Sequence, residues 1–181
     1  LGLFAALGLA VAASRPNFEL LAPITGIVIA VAIVYWPLPS FAPAPADLGR
    51  AVGSADTFDP FYRFLIALGV FAIGFAGASI AMLRRSTWPY LWAMLGGGSP
   101  VVLAALGYWR VADFAPDAGW ATAELLAAAL AVLGAQQSAR YRGQRGAEAA
   151  LAAYAVAAVA GLAAALVMVL REAWLTVALS A

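Results

Sequence analysis

Residues 61–83 read FYRFLIALGVFAIGFAGASIAML and hold a single charged side chain, Arg63. A helix needs roughly 20 apolar residues to cross about 30 Å of hydrocarbon, so this run is long enough to span a bilayer. Its apolar residues are continuous, whereas the strands of a membrane barrel alternate apolar and polar residues. The run therefore predicts a transmembrane helix.

The composition of the whole chain agrees with a membrane location. Of its 181 residues, 65% are hydrophobic and 10% are charged, and the mean hydropathy is +0.93. Soluble domains average about 45–50% apolar and about 25% charged residues. A domain of this size cannot bury so much apolar surface in water, and a disordered chain would be far more polar. Soluble globular and disordered proteins are both excluded.

Further apolar runs predict an all-α, polytopic transmembrane helical bundle with five complete spans and two partial ones. The complete spans are residues 20–36, 61–83, 90–109, 118–137 and 147–170. Residues 1–13 and 173–181 are the partial spans, and from them we expect an internal piece of a longer protein. Residues 37–60 are rich in proline, which predicts an extended loop on the external side.

The basic residues predict the orientation of these spans. Loops 14–19, 84–89 and 138–146 hold six of the ten arginines, and the alternate connections hold three. Arginine in short loops marks the cytoplasmic side. We therefore expect a multi-pass protein of the bacterial inner membrane with these three loops in the cytoplasm.

The aromatic residues favour the same threading. Tryptophan prefers the headgroup level of a bilayer, and all six tryptophans fall near predicted helix ends, which predicts an aromatic belt. They are Trp36, Trp88, Trp92, Trp109, Trp120 and Trp174.

Missing residue types exclude several kinds of chemistry. The chain has no cysteine and no histidine, which excludes disulfides, cysteine-ligated metals and histidine-ligated haem or zinc. It has no lysine either, which excludes Schiff-base chemistry, and its net charge of +1 does not indicate nucleic-acid binding. We expect no cofactor and no metal. The expected partners are the lipid bilayer and other membrane helices.

Two charged residues inside predicted spans, Arg63 and Glu124, form the first candidate site. Charges within a bilayer are costly and often functional. If their helices touch, the two form a polar site open to the external face, where Arg63 binds an anion or Glu124 carries a proton. In the alternative interpretation, Arg63 snorkels to the headgroups and Glu124 lies in a wet turn at the interface.

A second candidate lies in the middle of span 90–109. The sequence there is Gly96, Gly97, Gly98, Ser99 and Pro100. Proline lacks a backbone N–H and its ring clashes with the carbonyl four residues earlier, here that of Gly96. This predicts a broken or kinked helix. Such breaks bind substrate in several transporter folds, and the alternative is a kink that lets helices pack closely.

Spans 61–83 and 147–170 are rich in small residues, which indicates close helix packing. In the first span these residues are Gly69, Ala72, Gly74, Ala76, Gly77, Ala78 and Ala81. In the second they are Ala152, Ala153, Ala157, Ala160, Gly161, Ala164 and Ala165.

The run LREAWLTVAL at residues 170–179 resembles a recurrent segment of a bacterial family of predicted membrane proteins, domain of unknown function 2339. The chain is also similar to that family in its successive Ala/Leu-rich hairpins, its arginine-rich turns and its tryptophans at outer helix ends. The resemblance implies a protein with many more spans than seven. It implies no catalytic residues.

Three functions fit these features. The first is a non-enzymatic, transporter-like or scaffolding bundle of the bacterial envelope. The second is a membrane enzyme acting on lipid-linked or envelope substrates, which requires external carboxylates to converge. The third is a packing subunit of a larger membrane complex, which requires a face of small residues left unpaired. The carboxylates available to an enzyme are Asp47, Asp56, Asp59, Asp113 and Asp117.

Overall fold

The computed structural model describes residues 1–38, 60–141 and 143–169, of which 84% are helical. No strand occurs within these ranges. The elements are α1 (Gly2–Ser14), a 3₁₀ turn (Pro16–Phe18), α2 (Leu21–Val34), α3 (Pro60–Met82), α4 (Pro89–Ala93), a π-helical segment (Met94–Gly98), α5 (Ser99–Ala112), α6 (Ala118–Arg140) and α7 (Ala147–Val169).

Five helical stretches are long and apolar enough to cross a membrane. They are Pro16–Val34, Phe61–Met82, Pro89–Ala112, Ala118–Arg140 and Ala147–Val169. The predicted all-α bundle with five complete spans is therefore confirmed. Helix α1 is a shorter apolar helix, and most of the predicted loop 37–60 and all of the partial span 173–181 lie outside the described residues.

Helices α6 and α7 form the most extensive contact between two helices and run antiparallel. The backbone N–H of Asp117, at the start of α6, donates to the carbonyl of Met168, at the end of α7, at 3.2 Å. Farther along, Gly134 of α6 faces the ring of Tyr154 on α7. Small residues along both helices make this close approach possible.

The three arginine-rich loops meet at one end of the bundle. Glu19 accepts hydrogen bonds from the turn before α4, and the guanidinium carbon of Arg84 lies 5.6 Å from the ring centre of Tyr141. At the opposite end, Arg110 donates to the carbonyl of Trp36 at 2.8 Å. Successive connections therefore lie at opposite ends of the bundle, as expected when the chain crosses the membrane back and forth.

Two tryptophans of the predicted aromatic belt face the protein interior and not the lipid. Trp92 and Trp120 are 0% and 3% exposed, so they belong to the protein interior, whereas Trp88 and Trp109 are 50% and 41% exposed. Their positions near the ends of predicted spans did not distinguish a lipid-facing from an inward-facing ring. Trp174 lies outside the described residues.

One face of α3 supplies much of the main apolar core. Phe64, Leu68, Phe71 and Phe75 recur at helical spacing and are buried. Ile66, Val70 and Ile73 on the other side of the same helix are exposed. Helix α3 therefore presents an outer face that no described residue covers.

Candidate functional site

Glu124 lies inside the bundle, on the buried face of α6. The same face carries Trp120, Ala127, Ala128, Ala131, Gly134 and Ser138. Glu124 is 0% exposed, and neither of its carboxylate oxygens accepts a hydrogen bond from a described residue. The alternative interpretation of a wet interfacial position is therefore wrong for Glu124.

Helices α5 and α7 approach α6 closely near Glu124. A Cβ added to Gly161 of α7 would lie 3.2 Å from the backbone carbonyl oxygen of Glu124 and 3.1 Å from Cβ of Ala128. One turn earlier on α6, a Cβ added to Gly107 of α5 would overlap the ring of Trp120. The indole Nε1 of Trp120 is also buried, and it has no hydrogen-bond partner among the described residues.

Arg63 lies elsewhere. It is exposed on α3 and lines an open cleft of about 650 Å³ together with Leu1, Ala32, Tyr35, Trp36 and Pro37. The carboxylate of Glu124 accepts no hydrogen bond from Arg63. The structure does not bring the two predicted site residues together.

At the predicted helix break, the structure has the five-residue π segment Met94–Gly98. Backbone dihedrals stay right-handed helical at Met94, Gly98 and Ser99, so the helix continues into α5. The π-helix is rare and occurs mostly as a single turn inserted within an α-helix, as it does here. Pro100 follows in the first turn of α5 and lines an apolar cavity of about 300 Å³ between α3, α5 and α6.

Gly96 and Gly97 make room for a buried polar contact. A Cβ on Gly96 would overlap the side chain of Ser79, and a Cβ on Gly97 would lie 2.9 Å from Cδ1 of Tyr154. The hydroxyl of Ser79 donates to the backbone carbonyl of Trp92. The hydroxyls of Ser79 and Tyr154 lie 2.5 Å apart. Because Ser79 has already donated its proton, Tyr154 is the donor to Ser79.

This contact joins three helices, and it was not predicted from the sequence. Ser79 lies on α3, Trp92 on α4 and Tyr154 on α7. Tyr154 is the tyrosine that falls within a predicted span and away from its ends, which was the one available signal. Its role is to satisfy buried polar atoms where the π segment begins.

A second buried contact that sequence reasoning missed is centred on Glu19. Its carboxylate accepts hydrogen bonds from the backbone N–H groups of Thr87 at 2.8 Å and Trp88 at 2.9 Å. The hydroxyl of Ser86 donates to it at 2.5 Å. These backbone groups precede α4, so Glu19 supplies the acceptor that a helix N-terminus needs. An acidic residue in an arginine-rich turn was the available signal.

Of the carboxylates that an enzyme would need, the structure describes Asp113 and Asp117. Asp117 caps α6, accepting from the backbone N–H of Gly119 at 2.7 Å and of Trp120 at 3.3 Å. Asp113 is exposed in a left-handed turn. Asp47, Asp56 and Asp59 lie outside the described residues. In the described part of the chain, no three acidic residues are grouped as metal ligands.

The five apolar helices make this chain a multi-pass membrane protein. Comparison with known protein families, with curated proteins and with solved structures found no match to it.

Proposed function

We propose that the chain is a non-enzymatic packing subunit of a larger complex in the bacterial inner membrane, in which α3 packs against another membrane-spanning helix. The supporting observation is the open face of α3. A Cβ added to Gly69, Gly74 or Gly77 would meet no atom within 4 Å. Exposed Val70 and Ile73 lie between these glycines.

Glycine serves a different purpose at two buried positions inside the bundle. At Gly96 and Gly134 the missing side chain is replaced by Ser79 or Tyr154. On α3 nothing described occupies the equivalent space. Helices associate in lipid mainly through close backbone approach at small residues, because lipid tails are as apolar as the side chains. An open glycine face therefore suits a second helix better than it suits lipid alone.

The alternatives receive less support. A transporter requires Arg63, Glu124 and the irregular helix to line one cavity, and they lie in different places. An enzyme requires converging carboxylates, and Asp117 is engaged as a helix cap.

The orientation of the chain in the bacterial inner membrane is part of the same proposal. The positive-inside rule supports a cytoplasmic position for loops 14–19, 84–89 and 138–146. The family resemblance rests on residues 170–179, which lie outside the described residues, so it stays a prediction.

Accessibility of α3 in native membranes tests the proposal. The chain has no cysteine, so Gly77→Cys introduces a single thiol on the open face. Leu133→Cys is the matched control, because Leu133 is exposed on α6 at a similar distance from the same end of the bundle. Both variants are treated with a lipid-soluble maleimide in membranes of the expressing host.

We expect Gly77→Cys to react several-fold more slowly than Leu133→Cys, because a second helix covers it. A disulfide-linked dimer through Gly77→Cys also supports the proposal and identifies the second helix as another copy. Equal reaction rates without a dimer would overturn it, since α3 would then face lipid.

A further inference from the structure

We propose that Glu124 and Trp120 form an enclosed polar site that holds a water molecule and an exchangeable proton. The site lies in the half of the bundle next to the α5–α6 turn. It is independent of the open face of α3, so either proposal can fail without the other.

The first support is the burial of Glu124 without a partner. It lies six residues, roughly 9 Å, from the first residue of α6. Its side chain is completely enclosed, and both carboxylate oxygens are without hydrogen bonds from described residues. An isolated carboxylate in an apolar interior is costly, and a bound proton removes most of that cost.

The second support is the unused donor one turn away. Trp120 and Glu124 are four residues apart on α6, so their side chains are neighbours on one helix face. Long helical side chains lean toward the helix N-terminus, which directs Glu124 toward the level of Trp120. The indole N–H of Trp120 is buried and has no described acceptor.

A water molecule satisfies both groups. Buried waters typically make about three hydrogen bonds to protein atoms that otherwise have no partner. Such a water accepts from the Trp120 N–H and from the Glu124 carboxyl O–H, and donates to the other carboxyl oxygen. In a concerted step the water accepts the proton from one carboxyl oxygen of Glu124 and donates one of its own to the other, so that the acid and the water both stay neutral.

No described titratable group on the neighbouring helices hydrogen-bonds to the carboxylate of Glu124. Those described on the helices packed against α6 are Tyr62, Arg63, Tyr108, Arg110, Glu148 and Tyr154. Tyr154 donates to Ser79, and Arg110 donates to Trp36. None of the six gives a hydrogen bond to Glu124.

Infrared spectroscopy of the protein in lipid vesicles tests the site. We expect a carboxylic-acid C=O band that shifts in D₂O and is lost in Glu124→Gln. Trp120→Phe keeps Glu124 but removes the indole N–H, and we expect the carboxylic-acid band of Glu124 to shift in frequency. Trp88→Phe is the matched control, because Trp88 is half exposed, and it leaves the band unchanged.

Labelling with the apolar reagent dicyclohexylcarbodiimide gives a second readout. It reacts with protonated carboxyls in apolar surroundings, so we expect modification of Glu124 and not of exposed Glu148. The proposal is overturned if the band is absent, if it does not shift in D₂O, or if Trp120→Phe leaves it in place. Circular dichroism verifies that each variant is folded.

Discussion

The carboxylate of Glu19 and the backbone N–H of Trp88 are joined by a 2.9 Å hydrogen bond across 69 positions of sequence. Glu19 is buried, although it lies in a turn between two membrane helices. The bond fixes the start of α4 against the turn that precedes α2. It thereby positions the helix that carries the π segment.

Replacing Glu19 tests this contact. Glu19→Ala leaves the N–H groups of Thr87 and Trp88 and the hydroxyl of Ser86 without their acceptor. We expect the free energy of unfolding to fall by about 2 kcal/mol, since hydrogen bonds to charged groups are the stronger ones. Reversible unfolding in mixed micelles of increasing SDS content measures the change. Glu148→Ala, at an exposed position, serves as the control, and equal effects of the two substitutions would contradict the expectation.

The Ser79–Tyr154 hydrogen bond predicts coupled substitutions. We expect Tyr154→Phe to lower the free energy of unfolding by about 1 kcal/mol, because Ser79 loses its donor. In a double-mutant cycle with Ser79→Ala, the two losses are expected to be non-additive, as for any residues in one hydrogen-bonded network. Tyr35→Phe, on an exposed tyrosine, controls for hydroxyl loss. Strict additivity would show that the two hydroxyls do not interact.

Two glycines are expected to respond differently to substitution by alanine. In Gly134→Ala the new methyl group overlaps the ring of Tyr154, and we expect a loss of about 1–3 kcal/mol in unfolding free energy. In Gly77→Ala the methyl group enters open space, and we expect no loss in the purified chain. The same SDS titration compares them. A destabilised Gly77→Ala would mean that α3 is already covered within one copy.

The orientation of the bundle is tested by labelling from one side. Gln144 and Asp113 are both exposed and lie in turns at opposite ends of the bundle. We expect a membrane-impermeant maleimide added to intact cells to label Asp113→Cys and to spare Gln144→Cys until the cells are permeabilised. The reverse pattern would invert the predicted orientation.

Apolar runs were sufficient to predict the spans, because the need to satisfy every backbone group in lipid leaves few alternatives to helices. The contacts between the helices could not be predicted from these apolar runs. A run such as residues 118–137 is apolar on all sides, so its pattern does not show which face is buried. The sequence therefore left two interpretations of Glu124 open, a polar site within the membrane and a wet turn at the interface, and its side chain is buried in the bundle.

The same reason explains why the burial of Trp92 and Trp120 was not predicted from the sequence. Position along a span predicts depth in the membrane, but the direction of a ring depends on neighbouring helices. Trp120 lies on α6 where Gly107 of α5 leaves room for its ring. That complementarity joins two separate segments, and a single sequence does not reveal it.

The π segment also sets the rotational phase of everything that follows it. A π turn contains one residue more than an α turn, and each residue of an α-helix corresponds to about 100° of rotation. If Met94–Gly98 formed a regular α-helix instead, the extra residue would rotate the whole of Ser99–Ala112 by that angle. Leu103 and Gly107, which are buried, would then turn away from the core, so the π turn keeps this side of α5 facing its neighbours.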